Sequence, residues 1–366
     1  MKNYKKNFLL ITGGTGGHVI PANNFANYLS SRNIMCNIIT DRRGYKYLNN
    51  NNIKVYVVSS SNLNGNLVSK LFGFFKILFG LIQSFIIVLS LKPSHTISFG
   101  SYASFSPMLT CIVLKSLYKI NLYIHEQNSI IGRTNKFFLS FANKLFLNFD
   151  IKSKINIKFK DKIYVVGSPE NNSAAIINKK NKNIENNFTI FVSGGSQGSE
   201  FITNFATNLI KIIDEENIIK AKFIFQCPKH MINKTKEELK NINLKITLKE
   251  FFKNLDEILI DTNLAISRAG AGTIVDLINY KLPSILIPLP NAKDNHQFYN
   301  ASILAKSNLG LVIDQKNGNL DKAKKYIYEI YSNREKINLI KKEFDMIKIK
   351  NSNSLIYKLI VDEEQN

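Results

Sequence analysis

The residues best suited to chemistry begin in a dense run of glycines, GGTGGH at 13–18, which directly follows the apolar run 8–12. At the start of a helix, backbone N–H groups that no side chain covers bind an anion such as phosphate. Val19 stands where a dinucleotide fingerprint needs its third glycine, and no Gly-Lys-Ser/Thr of a P-loop follows. The run therefore predicts a phosphate contact of another kind, with His18 beside it.

A second glycine-rich segment, SGGSQG at 193–198, adds the hydroxyl of Ser196 and the amide of Gln197 to the same backbone arrangement. Residues 7–29 align on residues 187–209 at a constant offset of 180, with seven identities that include Gly14 on Gly194. Each half thus opens with an apolar run, a glycine-rich turn and a helical stretch. The repeat predicts two similar domains, each with a phosphate-binding loop.

Polar side chains follow two further apolar runs. The stretch at 98–107, SFGSYASFSP, carries Tyr102 in a turn of small residues. Polar groups at the carboxyl end of a strand are placed to hydrogen-bond a hydroxyl-rich ligand, and a solvated loop is the alternative interpretation. The stretch at 123–136, YIHEQNSIIGRTNK, gathers a larger set of such groups: His125, Glu126, Gln127, Asn128 and Asn135.

The second half has its own polar segments. In AISRAGAGTIVDL, at 265–277, Arg268 can meet a phosphate and the start of the following helix can take more negative charge. Asp276 lies within that helix and suits ribose hydroxyls. The segment SILIPLPNAKDNHQFYNAS, at 284–302, then ends a strand in prolines and presents a polar set: Asp294, His296, Gln297 and Asn300.

Thirteen short apolar runs could position these groups. Because they alternate with stretches of helical length, they predict βα units and parallel sheets with helices on both faces, an α/β fold. Ligands of such sheets bind beyond the carboxyl ends of the strands. The predicted strands are 8–12, 36–40, 54–59, 96–99, 122–125, 144–149, 163–167, 188–193, 222–226, 244–248, 264–267, 284–288 and 309–313.

Composition limits the protein class and its partners. The chain has 366 residues, enough for two domains, and a formal net charge of +22. That charge suits nucleic acid, anionic lipid or phosphorylated substrates, and a lysine-rich solvated surface is the alternative. The three cysteines lie far apart, so we expect neither a disulfide framework nor a zinc site. The apolar run near the N terminus is too short for a signal peptide, so we expect no export.

The segment 71–91 has 15 apolar residues among 21, close to the composition of a membrane span. A small or polar stripe interrupts it at three- and four-residue steps, at Lys70, Gly73, Lys76, Gly80 and Gln83. This stripe favours a helix that packs on a domain and exposes apolar side chains to anionic lipid, through residues 67–92. A spanning helix and an ordinary buried core helix remain the alternatives.

Five motifs in order resemble the MurG family: GGTGGH, HEQNxxxGxxN, GGSQG, SRAGAxT and IPxPxAxxxHQxxNA. This family transfers N-acetylglucosamine (GlcNAc) from UDP-GlcNAc to lipid I in bacterial peptidoglycan synthesis. The resemblance implies a GT-B fold, with two Rossmann-like domains facing across a cleft. We expect an acceptor domain at 1–167, a linker at 168–187, a donor domain at 188–334 and, at 335–366, a helix that crosses back to the first domain.

The resemblance also implies the ligand contacts. Arg268 and Gln197 are also expected to contact the donor, because of the side-chain chemistry given above. Acceptor contacts are expected at Gly13, Gly14, Tyr102 and Asn135. The donor contacts carried over from the family, or placed beside them, are Thr15, Gly16, Gly17, Asn128, Asn171, Ser196, Phe252, Ala271, Gly272, Thr273, Ile274, Val275, Asp276 and Gln297.

Two departures from the family pattern bear on donor binding. The family usually has Glu where this chain has Asp276, so the ribose contact is expected to be looser or water-bridged. The family usually reads Gly-Asn-Pro-x-Arg where this chain reads GSPEN at 167–171. Asn171 then offers only a neutral hydrogen bond in place of a cation, and weaker donor binding or the use of another cation is expected.

The expected reaction is an inverting displacement at the anomeric carbon, with UDP leaving. Helix N termini and Arg268 can stabilise the leaving diphosphate, and no Asp-x-Asp occurs in the chain, so neither a metal nor a cofactor is expected. His18 is the first candidate for the base and Glu126 the second, while Asp41 is expected either to orient His18 or to act itself.

The partners implied are UDP-GlcNAc, lipid I and an anionic membrane, at the cytoplasmic face of the bacterial inner membrane. Three other functions remain open at this point. One is a GT-B transferase with another glycolipid acceptor, and one is a UDP-GlcNAc 2-epimerase, which needs no lipid. The third, a basic nucleic-acid binder, leaves both glycine-rich loops unexplained, so nucleic acid is not expected as a partner.

Overall fold

The structure of the chain is a computed structural model. The structure describes residues 6–48, 53–63, 65–170, 188–195, 198–217, 219–252, 254–347 and 351–362, apart from the side chains of Lys293 and Arg334. The chain divides into two compact units: residues 1–172 together with 349–366, and residues 173–348. Most of the predicted linker, residues 171–187, lies outside the described residues.

The first unit contains a seven-stranded sheet in which every neighbouring pair is parallel. Its strands are β1 (Asn7–Ile11), β2 (Met35–Thr40), β3 (Lys54–Val57), β4 (His95–Ser98), β5 (Asn121–Glu126), β6 (Lys144–Leu147) and β7 (Ile163–Val165). Their spatial order is β3-β2-β1-β4-β5-β6-β7. The first helices of this unit are α1 (Gly16–Ser30), α2 (Arg42–Tyr45), α3 (Leu67–Leu91), α4 (Phe105–Tyr118) and α5 (Arg133–Phe138).

The second unit contains a six-stranded parallel sheet. Its strands are β8 (Phe188–Ser193), β9 (Ala221–Gln226), β10 (Lys245–Lys249), β11 (Leu264–Ser267), β12 (Ser284–Leu286) and β13 (Gly310–Val312). Their spatial order is β10-β9-β8-β11-β12-β13. Its helices are α6 (Glu200–Glu215), α7 (Ile232–Glu238), α8 (Leu255–Asp261), α9 (Ala271–Asn279), α10 (His296–Lys306), α11 (Leu320–Ser332) and α12 (Arg334–Ile347).

The last helix, α13 (Ser352–Val361), belongs to the first unit. Ile356 and Ile360 are fully buried in the core of that unit, beside Phe8 of β1. The Tyr357 ring lies 6.3 Å from the Phe8 ring, centre to centre. The apolar face of α13 thus completes a core that begins with the first strand of the chain.

The two sheets repeat one strand order, since β3-β2-β1-β4-β5-β6 corresponds strand for strand to β10-β9-β8-β11-β12-β13. This order reverses between β1 and β4 in the first unit and between β8 and β11 in the second. Ligands of such sheets bind at the point of reversal, outside the carboxyl ends of the strands. The predicted α/β class with two Rossmann-like sheets is confirmed, and each of the thirteen predicted strands overlaps an observed one.

Helix α3 is mostly exposed. Its buried residues are Gly73, Gly80, Ser84 and Val88, so the glycines of the predicted stripe face the unit while Lys70 and Lys76 do not. A Cβ on Gly80 would lie 2.1 Å from the Ser59 carbonyl oxygen, so glycine there allows the helix to pack closely. The interpretation of 71–91 as a buried core helix is therefore wrong. By length and composition this helix alone, among the described residues, could cross a membrane.

Candidate functional site

The glycines of the first loop, at the carboxyl end of β1, serve different purposes. A Cβ on Gly13 would lie 2.4 Å from the Ala103 Cβ, so close packing with the loop after β4 excludes any side chain there. Gly14 has a φ of +82°, a backbone conformation that favours glycine. Both glycines, predicted as acceptor contacts, are therefore explained by the fold alone.

The next two glycines lie in the first turn of α1. A Cβ on Gly17 would meet only the Thr15 side chain, at 3.9 Å, so the fold leaves room for a side chain there. Among the described residues, no side chain caps the N–H groups of this helix end, although Thr15 occupies the N-cap position. The helix end thus presents uncovered amides at the switch point of the sheet, an arrangement that binds anions.

Asp41, just after β2, holds the glycine loop in place. Its Oδ1 accepts hydrogen bonds from the Gly14 and Gly44 amides, both at 2.9 Å. Its Oδ2 accepts from Arg43 Nε at 2.9 Å, Arg43 Nη2 at 2.8 Å and Ser60 Oγ at 3.2 Å. Burial acts to raise the pKa of Asp41, but these hydrogen bonds outweigh it and hold the pKa below its ordinary value.

The expectation that Asp41 orients His18 is wrong, because neither oxygen of Asp41 contacts His18 within the described part of the chain. A buried carboxylate that accepts five hydrogen bonds and has a lowered pKa is also poorly suited to remove a proton. The Arg43 guanidinium that pairs with it stacks over the Tyr102 ring, 4.4 Å from its centre. Tyr102 thereby lies at the same edge of the sheet as the glycine loop.

His18 is the third residue of α1. Its Nδ1 is 2.8 Å from the carbonyl oxygen of Phe99 and 2.8 Å from Oε1 of Gln127. Gln127 is buried, and its Nε2 in turn lies 3.0 Å from Nδ1 of the buried His125. From the sequence, Gln127 is only one member of a polar cluster and has no predicted role. Nothing in the sequence indicates that the Phe99 carbonyl contacts His18.

Glu126, at the end of β5, organises the loop that follows it. Its Oε1 accepts from the backbone and side-chain nitrogens of Asn128, at 2.9 and 3.1 Å. Its Oε2 accepts from the Gly132 amide and from Asn135 Nδ2, both at 2.8 Å. The carboxylate is 1% exposed and each of its oxygens already accepts two hydrogen bonds. It is thus suited to holding Asn128 and Asn135 rather than to accepting a proton from a substrate.

In the second unit, the loop after β8 is also fixed by close packing. A Cβ on Gly194 would lie 2.3 Å from the Ser199 amide nitrogen, and Gly195 has a φ of +82°. Ser199 caps α6 by accepting from the Ile202 amide at 3.3 Å. Three expected donor contacts, Ser196 and Gln197 in this loop and Asn171, lie outside the described residues.

Arg268, at the end of β11, is buried and bound within its own unit. Its Nη1 donates to the carbonyl oxygens of Ile287 and Pro288 and to Gln315 Oε1, the last at 2.8 Å. Its Nη2 donates to Ser199 Oγ at 2.7 Å. The guanidinium therefore ties the ends of β11 and β12 to the cap of α6.

Helix α9 begins at Ala271 with Gly270 in the N-cap position, and no described side chain caps it. A Cβ on Gly272 would meet nothing within 4 Å, so this helix end is open. The expected donor contacts Thr273, Ile274 and Val275 follow in the same helix. Burial, with a smaller contribution from Asp256, raises the pKa of Asp276 to about 7. Asp276 forms no hydrogen bond with the described residues, so its carboxyl remains available to a ligand.

Two further expected donor contacts lie in the same unit. The Phe252 ring packs against Phe191 of β8, with ring centres 6.3 Å apart, and therefore lies near the carboxyl end of the sheet. Gln297, in the first turn of α10, accepts from the Leu289 amide at 3.0 Å through its Oε1. Both lie on segments that follow strands of the second sheet.

Both halves of the chain match one enzyme family. Residues 8–147 match the glycosyltransferase family 28 N-terminal domain, and residues 189–357 match its C-terminal domain. A UDP-N-acetylglucosamine--N-acetylmuramyl-(pentapeptide) pyrophosphoryl-undecaprenol N-acetylglucosamine transferase of Wolbachia pipientis wMel is 30% identical over 360 residues, which cover 96% of this chain and 98% of the relative. The chain belongs to this transferase family, the MurG family. A Rickettsia canadensis relative of the same name is 32% identical over 333 residues, 90% of this chain and 91% of the relative.

Solved structures agree with the MurG family in fold. The crystal structure of Acinetobacter baumannii MurG has a TM-score of 0.77 at 22% identity, covering 98% of this chain and 99% of that one. A UDP-GlcNAc 2-epimerase from Neisseria meningitidis, bound to UDP-GlcNAc, has a TM-score of 0.65 at 10% identity, covering 97% and 100%. The predicted GT-B class is confirmed, and the chain is a glycosyltransferase of the MurG family.

Proposed function

We propose that this chain transfers GlcNAc from UDP-GlcNAc to the 4-hydroxyl of MurNAc in lipid I, with inversion at the anomeric carbon. The observation that carries the proposal is the pair of open helix N termini, α1 at the switch point of one sheet and α9 at that of the other. Two ligands that both carry a diphosphate, one donor and one acceptor, are the substrates that such a pair suits. The relatives' printed name supports the same reaction.

The donor binds the second unit in this proposal. The UDP diphosphate lies at the open end of α9, where no side chain on Gly272 intervenes. Asp276 accepts hydrogen bonds from the ribose hydroxyls, and the segment around Phe252 receives the uracil. Because Arg268 is bound to Ser199 and to backbone carbonyls, it supports the loops around the diphosphate and acts through their position. Helix dipoles rather than a free arginine then stabilise the leaving group.

The acceptor binds the first unit. Its diphosphate lies at the open amides of α1, and Asp41 keeps the loop before that helix in register through Gly14. Tyr102 and Asn135 flank this site, while Asn128, held by Glu126, contacts the donor sugar. His18 takes the proton from the attacking hydroxyl, because Glu126 and Asp41 are both committed to other hydrogen bonds.

Membrane attachment is part of the proposal. Phe72, Phe75 and Phe79 of α3 are more than half exposed, beside the exposed Lys70 and Lys76. Apolar side chains with lysines around them favour the interface of an anionic bilayer. The enzyme is therefore proposed to act as a peripheral protein at the cytoplasmic face of the inner membrane, where a lipid-linked acceptor is available.

Radiolabelled GlcNAc transfer tests the reaction. The purified chain is incubated with UDP-[14C]GlcNAc and a lipid I analogue. In the control, UDP-[14C]GalNAc replaces UDP-[14C]GlcNAc as the donor. We expect label in the lipid product and much less with UDP-GalNAc. Release of UDP that does not depend on the lipid, or conversion of UDP-GlcNAc to a second UDP-sugar without lipid, would contradict the transferase and favour epimerase chemistry.

The base is tested by replacing His18 with Ala. Loss of a general base typically lowers turnover about 100- to 10,000-fold. We expect a loss of this size in kcat, with UDP binding retained, since the donor site lies in the other unit. The control is His230→Ala, which removes an exposed histidine paired with Glu200. Near-normal turnover by H18A would eliminate His18 as the base.

A further inference from the structure

We propose that Gln127 and His125 are positioning residues that hold His18 as the tautomer protonated at Nδ1, so that its Nε2 is the nitrogen that accepts the proton. The role of His18 rests on the proposed function, whereas the tautomer rests on hydrogen-bond geometry alone. The chain of contacts runs from the Gly167 carbonyl through His125 and Gln127 to His18. Each link fixes the proton position of the next.

The first link fixes the tautomer of His125. Its Nε2 lies 2.9 Å from the carbonyl oxygen of Gly167, which can only accept, so Nε2 carries the proton. The ring is fully buried, and burial lowers the pKa of His125 to about 4, so it is neutral at physiological pH. With one proton, on Nε2, its Nδ1 is an acceptor. The ring also stacks on Phe99, 5.3 Å between centres, which holds its orientation.

The second link fixes the orientation of the Gln127 amide. The side-chain atom that lies 3.0 Å from His125 Nδ1 and 3.1 Å from the His125 carbonyl oxygen faces two acceptors. Only the amide nitrogen can donate to both. The other end of the amide, Oε1, therefore faces His18. A flipped amide would instead set its oxygen against the His125 carbonyl oxygen and the lone pair of His125 Nδ1.

The third link fixes His18. Its Nδ1 faces two oxygens that can only accept, the Phe99 carbonyl and Gln127 Oε1, each at 2.8 Å. The proton of the neutral ring is therefore on Nδ1, and Nε2 holds a lone pair. Nε2 forms no hydrogen bond within the described part of the chain.

This arrangement suits proton removal. As the acceptor oxygen bonds to the anomeric carbon, the bond from that carbon to the UDP oxygen breaks and its electron pair leaves with UDP. The hydroxyl proton passes to His18 Nε2, and the ring becomes an imidazolium. Both Nδ1 contacts strengthen as that positive charge develops, because a charged donor makes a stronger hydrogen bond. Gln127 and Phe99 thus act most strongly when the proton has moved.

The test is 15N NMR of the wild-type chain labelled at histidine, in the absence of substrate. The His18 signals are assigned by their loss in H18A. We expect His18 to show a protonated Nδ1 and an unprotonated Nε2, and His125 to show the reverse. A spectrum with the proton of His18 on Nε2 overturns the proposal, and this measurement needs no variant to fold other than the assignment control.

Gln127→Met tests the positioning role, because it keeps the length of the side chain and removes both amide contacts. We expect a fraction of His18 to move to the Nε2-protonated tautomer and kcat to fall, with the KM for UDP-GlcNAc unchanged. Asn148→Leu is the matched control, since Asn148 Nδ2 donates to the backbone carbonyl oxygen of Gln127 and not to its side-chain amide. An unchanged His18 tautomer and kcat in Q127M would overturn the role of Gln127.

Gln127→Glu provides a second variant. The carboxylate still accepts from His18 Nδ1–H but cannot donate to His125, so we expect His18 to keep its tautomer and kcat to exceed that of Q127M. An equal loss of kcat in Q127M and Q127E would overturn the proposal that Gln127 acts through the oxygen that accepts the hydrogen bond from His18. The tautomers are measured without substrate, so a chain with the expected tautomers and no transfer to lipid would contradict the proposed function and leave the positioning network standing.

Discussion

The carboxylate of Asp41 lies 2.9 Å from the amide nitrogen of Gly14, and this contact joins the end of β2 to the glycine loop after β1. The same side chain binds Gly44, Arg43 and Ser60, so one buried charge fixes three segments at the switch point of the first sheet. The geometry of the helix end that is proposed to receive the acceptor diphosphate therefore depends on a residue that has no need to contact it.

Asp41→Asn is expected to destabilise the chain by about 1–3 kcal/mol, because an amide cannot accept every hydrogen bond that the carboxylate accepts. The folded pKa of Asp41 is below its ordinary value, so its contribution is present at neutral pH and is lost as the pH falls through the folded pKa. Urea unfolding at several pH values measures this. The gap between wild type and D41N should narrow toward pH 3, and a gap that widens there would contradict the assignment.

Gly13→Ala and Gly17→Ala should separate a glycine that the fold needs from one that the ligand needs. The added methyl at Gly13 would lie 2.4 Å from the Ala103 Cβ, and overpacking of this kind costs about 1–3 kcal/mol. At Gly17 the methyl has room, so Tm should stay at or above that of wild type. Because the methyl would cover the open helix end, transfer should show a raised KM for the lipid acceptor. An unchanged KM in G17A would argue against the acceptor site.

Asp276→Asn should reveal the raised pKa of this carboxyl. Its ordinary value is 3.8 and its folded value about 7, so the folded state holds more protons than the unfolded state between those pH values. The free energy of unfolding of the wild type therefore falls as the pH rises through that window. D276N lacks this loss, so its stability relative to wild type should increase from pH 5 to pH 8. Asp321→Asn, at a 92% exposed carboxyl, is the control and should show no such trend.

The same carboxyl should give donor affinity a pH dependence. An ionised carboxylate is a stronger acceptor for ribose hydroxyls than its protonated form. UDP-GlcNAc, whose diphosphate is esterified at both ends, does not titrate in this range, so its binding measured by calorimetry should strengthen between pH 6 and pH 8 in the wild type and remain flat in D276N. Equal slopes for the two proteins would show that another group controls the titration.

Phe72→Ser with Phe79→Ser should weaken membrane binding without affecting the fold. The two rings are 67% and 57% exposed, so their removal leaves the core intact. Each phenylalanine removed from water contributes about 1.5–3 kcal/mol, so the double variant should bind vesicles at least about tenfold more weakly. Co-sedimentation with phosphatidylglycerol vesicles measures this. Leu339→Ser, at a residue also 57% exposed but on α12 of the other unit, should bind like wild type.

The strands could be predicted because each is a short apolar run between turn residues, and a strand buried on both faces needs that composition. The glycine loops could be located for the same reason, since they follow such runs. The separate purposes of Gly13 and Gly17 could not, because the close contact that excludes a side chain at Gly13 is made by Ala103, which is distant in the sequence. The network around His18 also escaped prediction, since the Phe99 and Gly167 carbonyls are backbone groups that any residue would supply.

Arg268 shows a further reason why some contacts of the candidate site could not be predicted from the sequence. An arginine after a strand in a phosphate-binding fold suits a ligand contact by residue type alone. Its actual partners are the carbonyl oxygens that follow β12 and the cap of α6, and these become neighbours only when the second sheet has formed. Residue type predicts what a side chain can bind, whereas long-range packing decides which partner it binds.

The place of α13 has a consequence for how the chain is made. Ile356 and Ile360 fill the core of a unit whose other strands and helices are encoded before residue 173. During synthesis, the ribosome releases those strands long before it releases the helix that covers them. The first unit therefore reaches its final stability only after residues 352–361 have left the ribosome, and truncation before Ser352 should leave nascent chains with Phe8 and Tyr28 accessible to chaperones.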